Sequence, residues 1–448
     1  MPTFQVHVLP YQTNPDSYFS RLRNAPGAVM LDAGRPVAQH GRYDLISAWP
    51  LAEMSPLPQE TAIDFLGRLR TASNSLSTKD VPQNTCLPFV GGLIGYFGYD
   101  FGRRLEAITD CAVDDLSLSD ARVGLYAWAL ITDHQLNTTQ LVFHPQVSLA
   151  ERSRLIDLFE HTATENWDSF RLNNSFQADI SPVRYQQAIE KIQAYIQAGD
   201  CYQVNFAQRF QAQYQGDPWG AYQALRAACP TPFSGFLTLP DGAAIISLSP
   251  ERFMRVNQGR IETRPIKGTR PRGIDPDDDA KQASELLHSA KDRAENLMIV
   301  DLLRNDLGRC CEVGSVQVPE LFALESYPNV HHLVSAVTGK LAEGKDPLDL
   351  IACSFPGGSI TGAPKIRAMQ IIDELEETRR GLYCGSLFYL DIRGEMDSSI
   401  TIRSLLAKDG TITCWGGGGI VADSQWQAEY QESLTKVDVL MRTLEQLG

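Results

Sequence analysis

Four consecutive glycines, Gly416–Gly419, sit inside the run WGGGGIVAD (Trp415–Asp423). Residues without side chains leave two options there. The chain turns tightly, or it forms a strand whose bare backbone lets a ligand approach. A second cluster, FPGGSITGAPK (Phe355–Lys365), runs into the start of a helix at Pro364. Free backbone N–H groups at such a start make an anion site, although a tight turn accounts for either cluster equally well. Neither cluster follows the glycine patterns of nucleotide-binding loops, so no nucleotide site is expected.

The 448 residues exceed what one hydrophobic core usually holds. Two lobes are therefore expected, with residues 1–160 as an N-terminal region, a polar aperiodic linker over 161–181, and residues 182–448 as the larger region. The first region is β-rich: YAWALITD and TTQLVFH read as strands. Ser181 and Pro182 open a helix in which Tyr185, Ile189, Ile192 and Ile196 recur at helical spacing. CYQVNFAQRF then alternates, with Gln203, Asn205 and Ala207 on one face and Tyr202, Val204 and Phe206 on the other. Beyond it, strands and helices mix in an α+β pattern. The acidic stretch Arg272–Gln282 reads as a loop, PKIRAMQIIDELEETRRG as a helix from Pro364 to Gly381, and the last twenty-odd residues as a long helix. Asp409-Gly410 is a hairpin-turn signal.

A net charge of -14 argues against nucleic acid or an anionic membrane surface as partner. An anionic ligand would need positive charge supplied locally. No run approaches the roughly 18 apolar residues of a membrane span. Nine scattered cysteines with no CxxC pair read as reduced thiols of a cytoplasmic protein, and MPTFQVHVLP lacks the features of a signal peptide.

Some side chains look chemical. Lys267 lies in ETRPIKGTRPRG, a rigid segment flanked by proline and glycine, where a surface salt-bridging lysine is out of place. Glu295 shares a helix face with Met298, Ile299 and Leu302, which is costly unless an arginine or a metal pairs with it. Glu429, Glu432 and Lys436 form a narrow stripe on the final helix, which taken alone is a solvated face.

SPERF (Ser249–Phe253), ETRPIKGTRPRG, DRAENLMIVDLLRNDLG, VHHLVSAVTG, FPGGSITGAPK, TIRSLL, GGGGIVADS and EYQESLTK occur in that order. Together they resemble the chorismate-utilising enzymes, and GGLIGYFGYD and GRYDLISA extend the resemblance into the N-terminal region. The resemblance implies an α+β fold: a two-lobed α/β sandwich built on large, mostly antiparallel sheets with helices outside. In anthranilate synthases the lysine segment typically reads P-I-A-G-T. Here it is PIKGT, which resembles the branch of the family that places an amine on ring carbon 4 of chorismate.

That likeness implies Lys267 as a covalent nucleophile and Glu251 as the general acid for the departing hydroxyl. It implies Glu295 and Glu432, with Glu429 beside them, as Mg²⁺ ligands. Arg403 and Tyr389 would grip the enolpyruvyl carboxylate. Lys436 and the backbone of Gly417, Gly418 and Gly419 would hold the ring carboxylate. His332 would stand beside the ring, with Thr361 and Gly362 in the same site. Gln203 stands where water-activating relatives carry a lysine, and an amide cannot act as a base, so ammonia is the expected nucleophile. No G-x-C-x-G glutaminase motif is present, so the ammonia is expected from a separate glutaminase subunit. Relatives that bind tryptophan near the N-terminus carry a serine where MLDAG has Ala33, which counts against tryptophan in a pocket of Arg42, Tyr43, Asp44, Pro232 and Phe233. The rival readings are an anthranilate synthase and a chorismate-binding subunit without catalysis. Against the latter, Glu251, Glu295 and Glu432 are all present.

Overall fold

The glycine run is a strand. Thr411–Ile420 lies antiparallel to Gln203–Gln215, with Gly419 opposite Asn205 and Gly417 opposite Ala207. The structure, a computed structural model, describes residues 4–38, 41–77, 87–161, 168–326 and 330–447. The final helix, Trp426–Glu445, packs on this strand at a distance no side chain would permit: a Cβ on Gly416 would stand 2.1 Å from the Ser433 carbonyl oxygen. The hairpin before the glycines turns at Asp409 and Gly410, both with positive φ, as the sequence predicts.

Among the described residues the strands form one sheet of thirteen and one of ten, and every pairing between these strands is antiparallel. The first sheet places Gln5–Leu9 at one edge and Gln203–Gln215 near the other. The second runs from Ile266–Pro271 and Val330–Lys340 to Ala52–Met54. In each sheet the strands that precede 161–181 form one block, joined edge to edge to a block of later strands, and the buried apolar side chains form one continuous core. Residues 162–167 of the expected linker lie outside the described residues.

Of the passages of the chain between the sheets, two lie side by side. Ala244–Ser249 belongs to the first sheet and Arg252–Asn257 to the second, so Pro250 and Glu251 form one crossing. Met396–Ile400 and Ser404–Lys408 make the return crossing, through Thr401 to Arg403. Serines tie the crossings together: the Ser249 hydroxyl donates to the Ile400 carbonyl at 2.6 Å, and the hydroxyls of Ser247 and Ser404 meet at 2.8 Å. Arg403 has φ +54, a conformation uncommon for a side-chain-bearing residue and frequent at functional sites.

Two expectations need correction. The acidic stretch is a loop only as far as Asp275, and Pro276–His288 is helical. Asp275 accepts from the backbone N–H groups of Asp277 and Asp278, Pro276 suits the first helical position, and the following aspartates suit the positive helix end. The helix after Pro364 spans Lys365–Leu375 and stops short of Gly381. Glu376 leaves it to turn inward, where its carboxylate accepts from Ala207 N at 2.9 Å and pairs with Arg380 at 2.7 Å.

Replacing Gly416 by alanine should lower unfolding free energy by about 1–3 kcal/mol, because the final helix must back away from the strand. Chemical denaturation of the purified variant checks this.

Candidate active site

Lys267 lies on the strand Ile266–Pro271, not on a turn. Its register against Val330–Lys340 slips between Ile266 and Thr269, and Gly268 has φ +81. This bulge aims the lysine into the seam between the sheets. Its Nζ donates to the Ser359 carbonyl at 3.0 Å. Burial draws the amine below its ordinary pKa, with the charge of Lys436 helping, against the opposing pull of Glu251, Glu295 and Glu432.

Glu251 sits at the crossing between the sheets and is almost wholly buried. Burial pushes its carboxyl up to about 6, although Lys267, the Ser359 hydroxyl at 3.1 Å and the backbone of Ile266 favour the charged form. It is a buried acid able to hold a proton near neutrality.

Glu295 projects from the helix Ala290–Gly308, which packs on Val330–Lys340. Burial raises its pKa, and the negative charges of Asp292 and Glu429 add to the rise. Glu429 is buried and accepts from the Ser424 hydroxyl at 2.7 Å. Burial raises its carboxyl too, as does the charge of Glu432. Glu432 is half open, and although burial works against its charge, Lys436 at 2.6 Å holds its pKa low. A Cβ on Gly418 would lie within 3.3 Å of Glu429 Oε2, 3.6 Å of Glu432 Oε1 and 3.7 Å of Lys436 Nζ. The bare strand thus leaves room for the polar stripe of the final helix. Among the described residues no three His, Cys, Asp or Glu side chains close into a ready-made metal cage. The glutamates instead make an open wall of mutually repelling carboxylates, which suits a hard divalent cation that completes its shell with ligand and water oxygens.

Cationic and polar groups face this wall. Lys436 donates to the Gly417 carbonyl at 2.9 Å. Arg403 is pulled below its usual pKa by burial, with Cys229, Tyr383 and Glu432 opposing the shift. Burial also drives His332 down to about 4, so its ring is neutral, and its Nδ1 lies 2.9 Å from the Thr269 hydroxyl. Thr361 is buried, and its carbonyl accepts from Asn205 N at 2.7 Å. Gly362, at φ +144, would place a Cβ 2.2 Å from the Gln203 carbonyl, so only glycine fits. Gln203 is fully buried, and neither amide atom has a hydrogen-bond partner among the described residues. Its Nε2 occupies space that a side chain at Gly419 would take. A buried amide left unpaired at both ends marks where a polar ligand completes it.

Tyr389 is the one expected site residue that the fold does not bring to this group. Its charged neighbours are Asp397, Arg255 and Arg252. Tyr383 stands beside Arg403 instead, stacked on Trp415 with ring centroids 6.0 Å apart. Burial keeps its phenol protonated. Ser359 gives no signal in the sequence, because a serine in a glycine-rich loop reads as a turn residue.

Charge couples these groups to one another: Lys267 feels Glu251, Glu295, Lys436 and Glu432, and Arg403 feels Glu432. The family model of the chorismate binding enzymes matches residues 31–442. The chain belongs to the chorismate-binding enzymes. It is 48% identical to the Escherichia coli (strain K12) protein named aminodeoxychorismate synthase component 1, covering 97% of both chains. It is 34% identical to anthranilate synthase component 1 of Mycolicibacterium smegmatis, over 97% of this chain and 88% of that one. Its fold matches the crystal structure of anthranilate synthase component I from Streptococcus pneumoniae TIGR4 with a TM-score of 0.80 at 31% identity, covering 91% of this chain and 96% of that one. Membership in the chorismate-binding enzymes accounts for the antiparallel α+β architecture. Among the described residues no helix is long and apolar enough to cross a membrane.

The acid gives a stability test. Glu251 is held near 6 in the folded protein against an ordinary 4.5, so folding favours its protonated form. That advantage is complete below pH 4.5 and is lost as pH rises through about 6. Glu251→Gln should therefore be more stable than the parent at pH 8 by about 2 kcal/mol, with a much smaller difference at pH 4.5. Urea unfolding at the two pH values measures it.

Proposed function

We propose that this chain is the large subunit of an aminodeoxychorismate synthase, converting chorismate and ammonia to 4-amino-4-deoxychorismate through a covalent adduct on Lys267. It acts in the cytoplasm, in the route to 4-aminobenzoate and folate, and takes its ammonia from a separate glutaminase subunit. The observation that carries the reading is the desolvated amine of Lys267 held, with the buried acid Glu251, against the same residue, Ser359.

Arg403 forks onto the enolpyruvyl carboxylate, with the protonated Tyr383 beside it in place of Tyr389. Lys436 and the backbone of Gly417, Gly418 and Gly419 hold the ring carboxylate. Glu295 and Glu432, with Glu429 beside them, would hold Mg²⁺, which would supply Lewis-acid charge to the substrate's ring carboxylate. His332, neutral, packs beside the ring with Thr361 and Gly362.

Uncharged Lys267 forms a bond from Nζ to ring carbon 2. Both ring double bonds shift, the bond from carbon 4 to its oxygen breaks, and Glu251 gives its proton to the departing hydroxyl, which leaves as water. The adduct carries a secondary ammonium and Glu251 is left as a carboxylate. Ammonia then attacks carbon 4, both double bonds return to their places, the carbon–Nζ bond breaks, and Lys267 departs as the neutral amine. Glu251 recovers its proton from solvent. Gln203 has no basic nitrogen to activate water, which protects the adduct from hydrolysis.

Incubation with chorismate, Mg²⁺ and ammonium should give a product identified by mass as aminodeoxychorismate. Lys267→Ala should abolish the adduct seen by intact mass and divert product to the ortho-amino acid with pyruvate release. An adduct retained in that variant would remove the lysine from its role. Glu251→Gln should slow turnover by roughly 10²–10⁴-fold. Excess EDTA should silence the enzyme, and full turnover in its presence would refute the metal assignment.

A further inference from the structure

Ser359 touches both reacting side chains. Its backbone carbonyl accepts from Lys267 Nζ at 3.0 Å, and its hydroxyl donates to Glu251 Oε1 at 3.1 Å. It is buried within the short turn Gly358–Ile360, which is clamped from both sides. Arg380, fully buried, donates to the Ile360 carbonyl at 3.1 Å and to the Asn205 carbonyl at 2.7 Å. Lys365 donates to Asp306 at 2.6 Å and to the Ser354 carbonyl at 2.9 Å, tying the loop to the helix that carries Glu295.

We propose that Ser359 is a positioning residue that sets nucleophile and acid in register, holding Lys267 through its carbonyl and Glu251 through its hydroxyl. The inference rests on the reading of this chain as an amine-transferring enzyme. Its chemistry is directional. An amine that donates one N–H to a carbonyl turns its lone pair away from that carbonyl, toward open space. A carboxyl that accepts a hydroxyl bond on Oε1 carries its own proton on Oε2. One rigid residue thus points the lone pair and the proton, the two things that must reach the ring in the same step. In that step the bond from Nζ to carbon 2 forms, the carbon 4–oxygen bond breaks, and the proton on Oε2 leaves with the oxygen as water.

The test compares Ser359→Ala and Ser359→Thr with the parent enzyme, using chorismate, Mg²⁺ and ammonium. Ser359→Ala should slow formation of the Lys267 adduct by roughly 10–100-fold while KM for chorismate stays within about threefold, because the hydroxyl aligns the step rather than binding substrate. Ser359→Thr, which keeps the donor, should recover most of the rate. Ser359→Cys keeps the volume with a weaker donor and should fall between them; it serves the same comparison should alanine fail to fold. Cyanate carbamylation of Lys267 without chorismate should be unchanged in each folded variant, since the carbonyl contact survives. An adduct rate in Ser359→Ala equal to the parent's, a loss confined to KM, or a threonine variant as slow as alanine would overturn the role of Ser359. Failure of the parent enzyme itself to form adduct or amine product would instead overturn the reading of the reaction.

Discussion

An amine that has to be uncharged to react is enclosed among carboxylates that favour its charge. Burial of Lys267 outweighs the attraction of Glu251, Glu295 and Glu432 and keeps its pKa below the ordinary value. The same burial lifts Glu251 into the range where it can hold a proton. One physical condition, exclusion of water from the seam between two sheets, therefore prepares both partners in opposite directions. Much of the surrounding structure serves that exclusion. The bulge at Gly268 redirects the strand that carries the lysine, the Ser359 turn contacts both groups, and an aromatic cluster of Phe97, Phe101 and Phe388 packs around Phe355, just ahead of that turn in the chain.

Charge in the site is balanced locally, as an acidic chain taking an anion requires. Arg403 approaches from the crossing between the sheets, Lys436 from the final helix and Lys267 from the second sheet. The glycine strand makes the approach of the final helix possible, and Glu429 and Glu432 arrive beside Lys436 on the same stripe. A stripe that would be a solvated face on an isolated helix becomes a ligand wall because the strand beneath it has no side chains.

Residue type and order disclosed most of this arrangement. Lys267 and Glu295 stand out by residue type, the glycine run leaves turn and strand open, and the roles of Glu251 and of the metal-facing glutamates come only with the likeness of the ordered motifs to one family. What stayed hidden depended on the third dimension. Tyr383 and Tyr389 lie six residues apart in one stretch, and nothing in its pattern says which faces Arg403. Ser359 looks like a turn serine until the turn is seen against Lys267 and Glu251. The alternation of Gln203, Asn205 and Ala207 suggests a wet face, yet the strand is buried on both sides, and its polar face meets the site. Pro276–His288 was obscured because aspartate and proline mark helix starts as readily as loops, and only the bonds from Asp275 decide between them.

The two sheet crossings have a mechanical corollary. Glu251 and Arg403, proposed above as acid and anion clamp, ride on neighbouring bridges between the two sheets, and serine hydroxyls stitch those bridges together. Any displacement of one sheet against the other would therefore strain these bridges and carry Glu251 and Arg403 with it.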